Sequence, residues 1–77
     1  MMKRFEYLVV YQENNRVLTT NGHWQGEIEP GEEGDIESCP DKFDWLEQAG
    51  AQGWELVAID PEASGTATLY FKREHFG

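Results

Sequence analysis
The chain reads as an α+β domain: a small β-α-β-β arrangement with one helix packed on one face of a mainly antiparallel three-stranded sheet. Three observations carry this. Runs rich in aromatic and β-branched residues stand at 4–12, 54–60 and 66–74, and strands favour those residue types. One stretch, 38–52, spaces its apolar residues at helical intervals. The length of 77 residues is enough for one domain, 1–77, with a modest core.

The first strand, RFEYLVVYQ, places Phe5, Tyr7, Val9 and Tyr11 on one face and Glu6, Leu8 and Val10 on the other. ENN at 13–15 makes a turn. Asn21-Gly22 is a strong hairpin signal, because a type I′ turn needs positive φ at both central positions. Its arms are expected at 17–20 and 23–27, as an extra hairpin within 16–27. Residues 27–37 hold six acids, two glycines and a proline, and like charges at that density predict a solvated, mobile loop.

The helix is expected over 38–52, capped by Ser38 or Cys39, with Pro40 in its first turn. Phe43, Leu46 and Gly50, with Ala49 beside them, form its apolar stripe. Gly53 sits at the left-handed exit position. Gly50, one turn earlier, would let the helix approach the sheet closely. The strand from Trp54 places Trp54, Leu56 and Ala58 on one face, and Glu55, Val57 and Ile59 on the other. PEASG at 61–65 turns the chain into the last strand. These last two strands are antiparallel neighbours, and the first is placed beside the last, giving the order 1-3-2. A parallel position beside 54–60, reached by a right-handed crossover, is the alternative.

With 15 acidic and 6 basic residues the formal net charge is −9. That opposes direct nucleic-acid binding, which needs clustered cations, and opposes an anionic membrane surface. No segment has the length and apolarity of a membrane span. The start resembles a signal peptide only superficially, since Glu6 breaks its short apolar run, and a cytoplasmic setting is expected. Cys39 is a lone cysteine, so no disulfide forms within one chain. With His23 and His75 far apart, no zinc ligand set emerges.

The blocks FEYLVV, WLEQAGAQGWELVAI and LYFKRE occur in that order and cover roughly half the chain. On them the chain resembles a family of small bacterial and phage proteins, domain of unknown function 4177. The glycine–tryptophan block is the specific one. The resemblance implies a β-α-β-β fold and brings no activity, cofactor or catalytic residue.

The helix is expected on the face of Trp54, Leu56 and Ala58, joined by Tyr7, Val9, Leu69 and Phe71. That leaves Leu8, Val10, Val57, Ile59 and Tyr70 on the opposite face, where water should select polar residues. Each gains roughly 1.5–3 kcal/mol on full burial, and five together rival the ~5–15 kcal/mol net stability of a domain. Two covers are available, the 16–27 hairpin or a second copy of the chain, and self-association is favoured, with two-fold symmetry.

The acidic run lacks the spacing of a calcium loop, and a solvated loop is expected ahead of a metal site. Glu32, Glu33 and Asp35 form a candidate surface for a basic protein partner. Trp24 is a further candidate anchor, although a core role is favoured. Cys39 precedes the helix, but acidic surroundings raise its pKa and argue against a nucleophile. No phosphate loop, dinucleotide fingerprint or nucleophile elbow occurs. The function expected is a non-enzymatic binding or regulatory module, a homodimer acting through protein contacts, of the kind a phage or bacterium encodes as an accessory protein. No cofactor is expected. A small-ligand binder or enzyme with a site at a subunit interface, near Tyr11, Trp24 and Tyr70, is the alternative. An acidic inhibitor that mimics DNA ranks third.

Overall fold
The computed structural model describes residues 2–75. It holds five strands, β1 (Arg4–Glu13), β2 (Arg16–Thr20), β3 (His23–Trp24), β4 (Glu55–Pro61) and β5 (Thr66–His75), and one helix, α1 (Lys42–Ala51). The strands form one sheet in the order β3-β2-β1-β5-β4, and every neighbouring pair is antiparallel. The expected three-stranded sheet is thereby corrected. The hairpin that was expected as an addition extends the same sheet beyond β1, because β1 has two free edges and β5 takes only one. Within the sheet, β1 does lie beside β5, with β4 outside it.

Two tight turns build the β1–β2–β3 end. Asn14 and Asn15 have φ of 51° and 63°, and Asn21 and Gly22 have φ of 49° and 81°, the paired left-handed conformations of a type I′ hairpin. Asn21 also extends the ladder: its N–H donates to the Val9 carbonyl at 2.8 Å, and its Oδ1 accepts from Val9 N–H at 2.8 Å.

The helix starts later than the sequence spacing predicts. Asp41, in extended conformation, is the N-cap, and its carboxylate accepts from the N–H groups of Phe43 and Asp44. Aspartate caps better than cysteine and matches serine. The residues before it serve β2 instead, since Val17 N–H donates to the Pro40 carbonyl at 2.9 Å. At the other end Gly53, with φ of 90°, makes the left-handed exit, and Trp54 N–H closes onto the Ala49 carbonyl at 3.0 Å.

The core lies between α1 and the sheet. Val10, Val17, Ala67, Leu69 and Phe71 are buried there, with Leu8, Trp45, Leu46 and Trp54 packed against them. Trp45 meets Phe71 edge to face, with centroids 5.3 Å apart. Two expectations about the stripe are corrected. Phe43 is exposed, and a Cβ on Gly50 would meet nothing within 4 Å. Ala49, not Gly50, is the small residue buried on the packed side.

The segment at 27–37 is not an open loop but a chain of hydrogen-bonded turns. Ile28 N–H donates to Ser38 Oγ at 3.1 Å, closing its ends. Asp35 is the hub: its carboxylate accepts from Gly31 N–H and Ile36 N–H, both at 2.7 Å. Its carbonyl accepts from Ser38 Oγ at 2.6 Å. Among the described residues no helix is long and apolar enough to cross a membrane.

Candidate functional site
The register between β1 and β5 decides which residues share a face. Leu8 stands opposite Phe71, Val10 opposite Leu69 and Gln12 opposite Ala67. Directly opposed residues project to the same side, so these six form the helix side. Tyr7 stands opposite Lys72, Val9 opposite Tyr70 and Tyr11 opposite Thr68, and they form the outer side. The expected sides of β1 are thus reversed. Both faces of β1 are apolar, so its own pattern does not choose between them, and pairing with β5 does.

A β-bulge adds a second reversal. β4 pairs Leu56 with Phe71 but Ala58 with Tyr70, and the register shifts at Val57. The extra residue turns every later side chain to the other face. Ile59 therefore stands on the helix side opposite Leu69, and Ala58 on the outer side.

These two facts redistribute the expected self-association face. Tyr70 is on the outer side and exposed. Leu8 and Val10 are on the helix side, and Val10 is 0% exposed within the core. Ile59 is on the helix side too, yet 57% exposed. Val57 is the bulge residue and also exposed. The outer side presents instead Phe5, Tyr7, Val9 and Tyr70, all exposed, with Tyr7 at 64%. Lys72 Nζ lies 4.9 Å from the centre of the Phe5 ring. Sequence alternation marks Phe5, Tyr7 and Val9 as one face but does not say which side of the sheet it occupies.

β4 is an edge strand, and all seven of its residues are exposed. The helix lies toward β2 and packs Trp45 on Phe71. Leu56 and Ile59 are accordingly left exposed on the helix side.

The other candidate residues are placed differently. Trp24 is half-buried, outside the core cluster, and its indole N–H donates to the Ile28 carbonyl at 2.9 Å. It pins the acidic segment to the hairpin. Glu32 and Glu33 are exposed, while the Asp35 carboxylate is committed to two backbone N–H groups. Cys39 is buried. Burial pushes its thiol pKa up, the Asp35 carboxylate adds to that, and Arg16 partly opposes it. The thiolate needed of a nucleophile is suppressed at neutral pH. Among the described residues no group of three or more His, Cys, Asp or Glu is placed to hold a metal ion.

A cleft of about 270 Å³ opens on the helix side. Trp45, Gln48 and Gln52 of the helix segment, Gln25, Trp54 and Arg73 line it. Arg73 is held on three sides: it pairs with Glu6, donates to the Gln52 carbonyl at 3.0 Å, and lies 4.3 Å from the Trp54 ring centre. Gln25 Nε2 donates to Thr20 Oγ1 at 2.9 Å and to the His23 carbonyl at 3.0 Å. The residues expected around a ligand, Tyr11, Trp24 and Tyr70, do not line this cleft. Tyr11 and Tyr70 lie on the outer side of the sheet.

Fold and surface together define an α+β sheet domain whose outer face carries exposed apolar side chains at Phe5, Tyr7, Val9 and Tyr70. No family model, curated protein or solved structure matches the chain.

Proposed function
We propose that this chain is a non-enzymatic binding or regulatory module that works through protein contacts, as a homodimer in a cytoplasmic setting. The observation that carries the reading is the exposed apolar surface at the β1–β5–β4 side of the sheet: Phe5, Tyr7, Val9, Tyr70, Leu56, Val57 and Ile59. Phe5, Tyr7, Val9 and Tyr70 share the outer side, while Leu56 and Ile59 are exposed on the helix side. Four such side chains on one face exceed the scatter of single exposed apolar residues expected of a monomer. The resemblance to domain of unknown function 4177 supplies no activity and adds nothing to this reading. Light scattering on a sizing column, over a concentration series, tests it. A mass near twice 8.9 kDa is expected, and the mass of a single chain at every concentration refutes the homodimer.

The cleft under α1 favours a second reading, a small-ligand role. In a chain with 15 acidic residues, none of its lining residues is a carboxylate, and its one cation is already paired. Such a lining suits a small uncharged molecule with hydrogen-bonding edges. Intrinsic tryptophan fluorescence titrated with adenosine and with glucose tests this, and an unchanged spectrum with both at millimolar concentration counts against it.

A further inference from the structure
We infer that two copies of this chain pack outer face to outer face about Tyr7, Val9 and Tyr70, while the edge of β4 stays unpaired. This rests on the self-association reading above and goes further by choosing between two surfaces that both look adhesive.

The first surface is the edge of β4. An exposed apolar edge strand is a template for another strand. This one is interrupted in the ways that natural edges are protected. The register breaks at Val57, so the backbone groups do not alternate regularly along the strand. Pro61 ends it without an N–H to donate. Glu55 and Asp60 place a carboxylate near each end. The apolar side chains, not the backbone, are then the feature available for docking.

The second surface is the outer face, whose exposed members Tyr7, Val9 and Tyr70 stand on two adjacent strands. The accessible surface of the chain is 5515 Å², whereas a compact monomer of 8.9 kDa is expected to expose roughly 4,800 Å². The chain as a whole thus exposes about 700 Å² more than a compact monomer, of the order of the ~800 Å² that each partner contributes to a standard interface. The face is wide enough to hold it, since β1 and β5 each run for ten residues and pair along their whole length.

The distribution of charge selects a second copy as the occupant. Tyr7, Val9, Ala58 and Tyr70 form the middle of the face. Lys72 and Glu55 stand opposite each other beside it, with Glu74 and Asp60 further out. A foreign basic partner would be met by aromatic rings at the centre, where it needs acids. In a two-fold arrangement the Lys72 of each copy can be set against the marginal acids of the other, so a face carrying both signs is self-complementary. Aromatic rings at the centre, with Glu55, Asp60 and Glu74 at the margins, also match the usual anatomy, in which acids are depleted from the core of an interface. Leu56 and Ile59, on the helix side, take no part.

The test compares Tyr7→Glu with Val57→Glu by light scattering, with circular dichroism to check that each variant is folded. Tyr7→Glu is expected to give folded monomers, because the substitution occurs twice in a two-fold interface and weakens dimerisation by about a hundredfold or more. Val57→Glu is expected to leave the dimer constant within a few-fold. Tyr7→Ser provides the milder truncation if the charged variant does not fold. The opposite pattern, dissociation by Val57→Glu alone, overturns the face in favour of the edge. A dimer indifferent to both variants overturns this interface and leaves the homodimer standing. A wild-type monomer at every concentration removes the homodimer itself.

Discussion

Two glycines of this chain are there for opposite reasons. At Gly26 an added Cβ would come within 2.6 Å of Ser38 Oγ, 2.8 Å of Trp24 Nε1 and 3.0 Å of Cys39 Sγ. The hairpin and the acidic segment meet there with no room for a side chain. Gly26→Ala is expected to destabilise the domain by about 1–3 kcal/mol, the usual range for overpacking, and to lower the midpoint of thermal unfolding. At Gly50 the same atom would project into open space from a helical position. Gly50→Ala is expected to stabilise by about 0.8–1 kcal/mol, the helix-propensity difference between the two residues. Thermal melts of the two variants should move in opposite directions. Neither role was legible in the sequence. Periodicity put Gly50 on the packed face because it lies seven residues after Phe43, and Phe43 itself proved exposed.

Among elements, the end of β5 ties three parts of the fold together through Arg73. The side chain reaches across to Glu6 on β1, to the carbonyl of Gln52 at the helix exit, and over the Trp54 ring at the start of the chain into β4. Its pair with Glu6 is about one-third exposed on both sides, so that contact contributes ~0–1 kcal/mol. The stacking adds about 0.5–1 kcal/mol and the carbonyl bond about 1 kcal/mol. Arg73→Ala is therefore expected to cost about 2 kcal/mol in chemical denaturation. A double-mutant cycle with Glu6→Ala should return less than half of that as coupling. The sequence marked Arg73 and Trp54 only as members of two separate blocks, LYFKRE and the glycine–tryptophan one. Their meeting depends on β4 and β5 pairing, which is a matter of topology.

At the scale of the whole molecule, two forces oppose one another. The chain measures 49 × 24 × 20 Å, so its surface is large for its mass and much of the exposed part is apolar. Each copy also carries −9, and bringing two such copies together costs electrostatic work. Salt screens that repulsion, with a Debye length of ~10 Å at 0.1 M, and strengthens apolar burial little at these concentrations. Raising sodium chloride from ~0.05 to ~0.5 M should therefore tighten the dimer by a few-fold across that screening range. A dimer held by acids against a basic surface would loosen under the same change, and sedimentation equilibrium at the two salt levels separates the cases.

The sequence alone determined the local features of this protein. The Asn21-Gly22 turn, the glycine exit at Gly53, the three long strands and the single helix all follow from short-range backbone and side-chain preferences, which neighbours along the chain express by themselves. It also settled the formal net charge of −9. Tertiary structure decided the rest. Five strands joined one sheet because β1 presents two edges, a fact about pairing that no stretch of residues contains. Leu8 and Val10 went inside while Tyr7 and Val9 went outside because the register with β5 chose between two equally apolar faces. One extra residue at Val57 then sent Ile59 to the helix side and Ala58 to the outer one. Side-chain alternation has a period of two, so a single-residue shift is invisible in composition and complete in its effect on a surface.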